Sequence, residues 1–375
     1  MMPRHRVLFV LILAAIAGCA LGGFVSEAPN RLVSGHSIML WQAGPSVSLW
    51  LTIWAAALLL LSFVPGRRSP AVAALIIGAG TLLLLIFDAG HTAAALMASA
   101  PSAARVSLGW AFWASGFCLA MIVIDALQRL RAGHLLSLAV VLILIAAIAV
   151  FAVLGTFDAL SLAREYAARH AEFAKELGRH CMLVAIAVVL AVAIGAPLGL
   201  YVARQPGRST GIFGALNLLQ TIPSVALFGL LIAPLSALGI GGIGAVPAII
   251  ALVLYSLLPV VRNTEAGISG VDPGVIDAAR GMGLTPTQIL WRIELPLGMP
   301  VFLAGLRIVT VQAIGLTIVA ALIGAGGLGS FVFQGIGQYA IDLVLLGALP
   351  TIALALAADF ILALLAAFFE RSPHD

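Results

Sequence analysis

Charged residues are scarce in this chain. Asp, Glu, Lys and Arg make up only 9% of its 375 residues, whereas 62% are hydrophobic and the mean hydropathy is +1.17. A soluble domain carries about 25% charged residues, so this deficit excludes a water-exposed globular protein. Backbone polar groups in lipid are satisfied only in helices and closed barrels. The apolar runs are continuous rather than alternating, which predicts an all-α polytopic membrane protein.

Lysine and cysteine are equally rare. Lys175 is the only lysine and Glu176 follows it, whereas a Walker phosphate loop needs Gly-Lys-Ser/Thr. The three cysteines lie in apolar runs without the spacing of a metal site or a disulfide framework (Cys19, Cys118 and Cys181). We therefore expect no ATP hydrolysis by that route, no catalytic residue, and no bound cofactor or metal.

Long apolar runs predict about ten transmembrane helices, each near or above the roughly 20 residues that cross a bilayer. The candidate spans are 7–25, 46–65, 70–88, 107–125, 134–156, 179–202, 212–235, 246–262, 301–323 and 343–369. With the N-terminus inside, the cytoplasmic segments hold about twice as many Arg and Lys residues as the outer ones. This bias predicts that both termini are cytoplasmic, and it explains the net charge of +4 by anchoring at the lipid surface rather than by nucleic acid binding.

The first run admits two interpretations. Ile16-Ala17-Gly18-Cys19 follows a basic start and matches a lipoprotein cleavage box, which would make Cys19 a lipidation site. We interpret the run as a first transmembrane helix instead, because nine further predicted spans and no soluble domain follow it.

A segment of different character separates two groups of five spans. Residues 157–178 carry charges on much of the helix and apolar side chains on one face, namely Leu162, Tyr166, Phe173 and Leu177. This pattern predicts an amphipathic helix at the outer interface, and Gly178 is expected to end it. The sequence therefore predicts an accessory membrane region at 1–156, a periplasmic amphipathic segment at 157–178 and a core at 179–375. The accessory region could stabilise an assembly, tune gating or contact lipid, and no motif chooses among these roles.

A polar hairpin interrupts the core at 263–300. Asp272-Pro273 predicts the start of a short helix, since Asp caps helix N-termini and Pro favours the first turn. Small apolar residues then share one face, and glycines end the helix (Val275, Ala278, Ala279 and Met282; Gly281 and Gly283).

A second short helix follows the glycines. Thr285 and Gln288 form a capping-box pattern, and Ile289, Leu290 and Ile293 give an apolar stripe that Pro296 is expected to end. The predicted result is a helix–turn–helix projection too polar to enter lipid.

The spacing of this hairpin resembles the coupling loop of ABC-type importer permeases, which docks on a cytoplasmic ATPase. The matching residues are Asp277, Ala278, Ala279, Gly283, Ile293, Leu295 and Pro296. Family members usually have Glu at the position of Asp277. The resemblance implies that this chain couples transport to ATP hydrolysis by a separate subunit.

Further motifs narrow the resemblance. The stretches 220–224 (QTIPS), 254–264 (LYSLLPVVRNT) and 323–329 (IGAGGLG) resemble osmoprotectant permeases for glycine betaine, choline and carnitine, and 28–35 (APNRLVSG) resembles members with extra N-terminal spans, of the low-affinity betaine-uptake type. The likeness covers about 178–370. It implies a type I importer permease core in the bacterial inner membrane, an ATPase dimer, an identical or homologous second permease, and a periplasmic or extracellular binding protein that selects the solute.

Several polar residues within spans are candidates for the translocation pathway. Asn217 and Gln220 lie one turn apart, Pro223 predicts a kinked or broken helix, and Tyr255 could offer its ring to a quaternary ammonium ion. Each of them could instead serve helix packing. Asp359 lies inside the last span, where an acid is a functional candidate or the partner of another group.

Two nearby features have simpler interpretations. We expect Arg307, early in the ninth span, to extend to the cytoplasmic surface. The glycines at 324–329 and 335–337 are expected to form tight turns at an outer gate.

Other functions remain open from the sequence. The same architecture could import another small solute such as an amino acid. An ion-coupled secondary transporter would need inverted repeats and paired intramembrane acids, and a membrane enzyme would need clustered His, Asp or Glu at one depth. Neither pattern is evident.

Overall fold

The fold was taken from a computed structural model that describes residues 3–30, 33, 35–101 and 103–370. Arg31, Leu32 and Ser34 of the 28–35 motif lie outside the described residues. The chain divides into two compact units, one of residues 1–168 with 339–342 and the other of residues 169–338 with 343–375.

Helices of the first unit pack closely around small residues. Its elements are α1 (Arg6–Leu21), β1 (Val25–Ala28), β2 (His36–Ile38), α2 (Pro45–Leu61), α3 (Arg68–Met97), β3 (Arg105–Leu108), α4 (Trp110–Arg129) and α5 (His134–Val153). Cys19 Sγ lies 3.0 Å from Ser115 Oγ of α4. Cys19 thus lies within a helix of 16 residues that packs against α4.

A small antiparallel sheet in the first unit was missed by the all-α prediction. Its strand order is β2-β1-β3, with Ser26 paired to both Ser37 and Ser107. Val25 and Val106 are fully buried on one face of the sheet. The predicted span 7–25 is correspondingly too long: α1 ends at Leu21, and the residues after Gly22 and Gly23 pair as a strand.

The second unit contains the predicted core. The helix α6 (Ser161–Arg204) enters it at Arg169, whose backbone departs from helical geometry. The elements that follow are α7 (Pro206–Thr221), α8 (Ser224–Ala237), α9 (Ala245–Ser269), α10 (Pro273–Gly281), α11 (Pro286–Ile289), α12 (Leu295–Ala320), α13 (Gly329–Gly337) and α14 (Ile341–Glu370).

The expected helix end at Gly178 is wrong. The helix α6 continues through Gly178 without interruption. A glycine inside a helix costs only about 1 kcal/mol, and the contacts that this part of α6 makes offset that cost.

Seven of the described helices are long and apolar enough to cross a membrane, and the bent pair α7–α8 raises that number to as many as eight. Two shorter apolar helices, Arg6–Leu21 and Leu49–Leu61, lie at two further predicted spans. This pattern is compatible with about ten spans.

The centre of the second unit is α9, which neighbouring helices approach through glycines. A Cβ on Gly267 of α9 would lie 2.8 Å from the carbonyl oxygen of Gly298 on α12. A Cβ on Gly195 of α6 would lie 2.7 Å from Val260 Cγ1. Small residues allow such close approach between membrane helices. The polar hairpin therefore emerges between two tightly packed helices, α9 and α12.

Candidate functional site

The first helix of the hairpin is built as its sequence predicts. The Asp272 carboxylate accepts a hydrogen bond from the Gly274 N–H at 2.7 Å, which caps α10. The helix ends at Gly281, and Gly283 has a φ of +81°, a left-handed conformation that glycine adopts without a Cβ penalty. Asp277 pairs with Arg280 at 2.9 Å on the solvent-exposed surface. The first arm of the hairpin is thus a capped helix with an acidic residue on its exposed side.

The two alanines of the motif have different environments. Ala279 is fully buried, whereas Ala278 is exposed together with Val275 and Met282. The apolar face that the sequence predicted therefore divides, with Ala279 packed inward and the other three facing outward. Trp291, further along the hairpin, is also exposed. Four exposed apolar side chains of the hairpin are together called the docking face (Val275, Ala278, Met282 and Trp291).

The second helix begins as predicted but does not end where predicted. Thr285 and Gln288 form the complete capping box. After α11 the chain makes a π-helical turn, Leu290–Glu294, and passes directly into α12. Proline inside a helix clashes with the carbonyl four residues earlier. For Pro296 that residue is Arg292, within the π turn, whose wider geometry absorbs the clash.

A partly buried ion pair joins this π turn to α6. Arg204, the last residue of α6, donates from Nη1 to Glu294 Oε1 at 2.9 Å, and its Nη2 donates to Oε2. The Glu294 side chain is only 1% exposed, whereas that of Arg204 is 48% exposed. Sequence reasoning missed this pair, because the two residues are 90 positions apart and Glu294 occupies a variable position of the hairpin motif. The pair connects the hairpin to a third helix besides α9 and α12.

A cavity of about 530 Å³ lies beside this ion pair. Its walls include Ile276 and Arg280 of α10, Leu284 of the turn and Leu290 of the π turn. The two arms of the hairpin are therefore incompletely packed against each other, which leaves room for a change in their angle.

The predicted break in the α7–α8 region is present. The two helices meet at an angle of 100° on either side of Ile222 and Pro223. The buried Tyr255 of α9 donates its hydroxyl hydrogen to the Ile222 carbonyl, and Gln220 Nε2 donates to the Tyr255 carbonyl at 3.0 Å. Two of the candidate pathway residues, Gln220 and Tyr255, are therefore joined by hydrogen bonds beside the break at Pro223.

This arrangement changes the interpretation of Tyr255. Its ring packs in the core beside Leu227 and Phe228, so its faces are not available to a quaternary ammonium ion in this conformation. The hydroxyl instead satisfies a carbonyl that the proline break leaves without a helical partner. Asn217, one turn before Gln220, is exposed on α7.

An ion pair also engages Asp359. Arg307 Nε and Nη2 donate to the two Asp359 oxygens at 2.9 and 2.8 Å. The expectation that Arg307 extends to the cytoplasmic surface is therefore wrong, because a bidentate carboxylate lies closer. The side chains are 35% and 43% exposed in the isolated chain, although both lie in apolar helices.

The glycine-rich stretch forms a loop at 324–328 that contacts α6, whereas Gly329, Gly335 and Gly337 lie in α13, so the expected turn at 335–337 is wrong. Gly324, Gly326 and Gly327 all have positive φ. Glu176 Oε2 accepts from the Gly327 N–H at 2.5 Å, and Arg179 Nε donates to the Ala325 carbonyl at 2.5 Å. Charged residues on both sides of Gly178 therefore contact the same loop, and these contacts favour a continuous α6 through Gly178.

Comparisons with known proteins agree with this geometry. Residues 195–371 match the model for the binding-protein-dependent transport system inner membrane component. A protein from Salmonella typhimurium, "Osmoprotectant import permease protein OsmW", is 46% identical over 49% of this chain and 85% of its own length. The chain belongs to the osmoprotectant permease family of ABC importers.

Other members of this family are similar over the same part of the chain. The carnitine transport permease protein OpuCB of Listeria monocytogenes is 41% identical, and the choline transport system permease protein OpuBB of Bacillus subtilis is 40% identical. Each match covers 49% of this chain and 82% of the relative. The first part of the chain, residues 3–163, matches the N-terminal domain of the ABC transporter permease YehY.

Family membership determines the class of molecule. The chain is an integral inner-membrane permease subunit with a type I ABC importer fold, and it is not itself an enzyme, because ATP hydrolysis belongs to a separate subunit. An ATPase and a substrate-binding protein are its partners.

Proposed function

We propose that this chain is the translocation subunit of an importer for osmoprotectants, namely glycine betaine or related quaternary ammonium compounds. The relatives named for osmoprotectant, carnitine and choline transport support this substrate class. The capped hairpin with its exposed docking face is the observation that supports coupling to an ATPase. Two ATPase subunits, a second identical or homologous permease and both termini in the cytoplasm complete the proposed assembly, with no cofactor in this chain.

In the proposed mechanism, the docking face and the neighbouring Asp277 contact a groove of the ATPase. A short amphipathic helix in a groove is a common mode of recognition, and small side chains such as Ala278 allow close approach. ATP binding moves the hairpin, and α9, α12 and α6 move with it, the last through Arg204 and Glu294. The transmembrane helices rotate as rigid bodies and open the pathway toward the loaded binding protein.

Candidate pathway residues have distinct roles in this proposal. Gln220, Pro223 and Tyr255 hold the helix break, while Asn217 provides a polar side chain one turn away. Asp359 and Arg307 form an ion pair within the membrane, in which the two charges offset each other. Since the binding protein selects the solute, the pathway itself needs only weak contacts.

The test is uptake of labelled glycine betaine in cells that lack other betaine transporters. The chain is co-expressed with the ATPase, binding protein and second permease encoded beside it. The double variant Asp277→Arg/Ala278→Trp should abolish uptake while the subunit stays inserted, and Ala278→Ser is the matched control. Normal uptake by the double variant would remove the coupling role of the hairpin.

An importer for another small solute, such as an amino acid, is the alternative of the same architecture. An assembled complex with active ATPase but no uptake of betaine, choline or carnitine would support it. Ligand screening on the partner binding protein would then identify the solute.

A further inference from the structure

A cavity of about 410 Å³ in the first unit has the composition of a small-molecule site. Small-molecule sites commonly measure about 300–1,000 Å³ and combine apolar walls with a few convergent polar groups. This cavity lies over the three-stranded sheet and is closed on one side by residues 339–342, which belong to the same unit. Nothing in the proposed transport mechanism uses it.

The floor of the cavity follows from strand alternation. Val25 and Val106 face the core, so Ser26, Ser37 and Ser107 face the cavity. The register places these three serines side by side across the sheet. Ser107 Oγ also lies 3.0 Å from Ser161 Oγ. The floor is therefore a flat row of hydroxyl groups about 5 Å apart.

Two aromatic residues, Trp110 and Tyr339, are among those that line the cavity. Trp110 begins α4 and is 62% exposed, and Tyr339 is 93% exposed. Tyr339 has a φ of +55°, a conformation unfavourable for a residue with a Cβ. Strained residues of this kind concentrate at functional sites and ligand clamps. Faces of Trp and Tyr attract cations, quaternary ammonium ions among them.

The cavity also carries a cation of its own. Arg105 lines it two residues before Ser107, and its Nη1 lies 3.9 Å from Glu165 Oε2. This contact is an ion pair longer than a hydrogen bond, and a guanidinium has five N–H donors, so Arg105 keeps donors for a further acceptor. Arg105 is therefore able to bind a carboxylate in the fork geometry that arginine favours. Asp342 is a further lining residue, buried and already partnered.

We propose that this cavity binds a small zwitterion that carries a quaternary ammonium group and a carboxylate. The ammonium group contacts Trp110 and Tyr339, and the carboxylate binds Arg105 and the serine hydroxyls. The choice of ligand class rests on the proposed function, because the same zwitterions are the proposed substrates. The first unit thereby gains a binding role of its own.

Equilibrium dialysis tests this proposal with the purified full-length chain in lipid nanodiscs, without ATPase or binding protein. Labelled glycine betaine should bind saturably, and choline, which lacks the carboxylate, should bind about tenfold more weakly or worse. Arg105→Gln should weaken betaine binding by about 10–100-fold, because it removes a charged hydrogen-bond donor. Trp110→Leu should weaken it by about 2–30-fold. Trp41→Leu, at an exposed tryptophan outside the cavity, is the control and should have no effect.

Three results would overturn the site. Absence of saturable betaine binding is the first, and equal binding of choline and betaine is the second. The third is that Arg105→Gln and Trp110→Leu keep betaine binding but no longer associate with the binding protein. That result would make this face a protein-docking surface.

Uptake by the complete importer separates this proposal from the proposed function. Betaine uptake without binding by the isolated chain refutes the cavity site alone. Betaine binding through Arg105 and Trp110, with import of an unrelated solute, refutes the proposed substrate alone.

Discussion

The ion pair between Arg204 and Glu294 should respond asymmetrically to mutation. Arg204→Met keeps much of the side-chain stem and removes the charge, which leaves the Glu294 carboxylate buried at 1% exposure without its cation. Removing one partner of a buried pair costs about 3–5 kcal/mol. Glu294→Gln leaves an arginine that is already 48% exposed and keeps one carbonyl acceptor, so we expect a cost of about 1 kcal/mol.

The measurement is thermal unfolding of the purified permease in nanodiscs, together with the number of solute molecules imported per ATP hydrolysed. At about 1.3 °C per kcal/mol for a chain of this length, Arg204→Met should lower the apparent melting temperature by about 4–6 °C, and Glu294→Gln by about 1 °C. Both variants should lower the import stoichiometry, because the hairpin then moves without α6.

A double-mutant cycle provides the control. The variant Arg204→Met/Glu294→Gln should be more stable than Arg204→Met alone, because the buried side chain no longer carries a charge. Equal destabilisation by the two single variants, or strictly additive effects in the double variant, would refute this account of the pair.

Three further changes test the helix break, the glycine loop and the second ion pair. Tyr255→Phe leaves the Ile222 carbonyl at the break without a donor and should lower the free energy of unfolding by about 1–3 kcal/mol in thermal unfolding. An unchanged stability would show that this hydrogen bond does not support the break. The backbone of Gly327 has a φ of +86°, so Gly327→Ala should lower the free energy of unfolding by at least about 1–2 kcal/mol and reduce uptake. Gly337→Ala is the neutral control, because its added Cβ would have no atom within 4 Å. Asp359→Asn should reduce assembly and uptake, because it removes the charge that pairs with Arg307. The exchange Arg307→Asp/Asp359→Arg should recover part of both, and no recovery would show that the defect does not come from the lost ion pair.

Local features of the hairpin could be predicted because short-range chemistry determines them. The Asp272 cap, the Thr285–Gln288 capping box and the left-handed Gly283 all depend on residues within a few positions of each other. The broken helix at Pro223 was predictable for the same reason.

Contacts between residues far apart in the sequence determine the features that could not be predicted. Gly178 should end a helix by propensity, yet contacts of Glu176 and Arg179 with the glycine loop keep α6 continuous. The Arg204–Glu294 pair joins positions 90 residues apart, and no local pattern marks either residue.

Strand pairing explains another omission. The strand β1 has only four residues, which are too few to show the alternation of apolar and polar side chains that predicts a strand. It forms because β2 and β3 pair with it. The cavity over that sheet was therefore also outside the reach of sequence reasoning.

The glycine contact between α9 and α12 has a consequence for the spacing of these helices. At Gly267 and Gly298 the two backbones come into contact because neither residue carries a side chain. A side chain at either position would push the backbones apart. The distance between the two helices that flank the hairpin is therefore set by the absence of a Cβ at two positions.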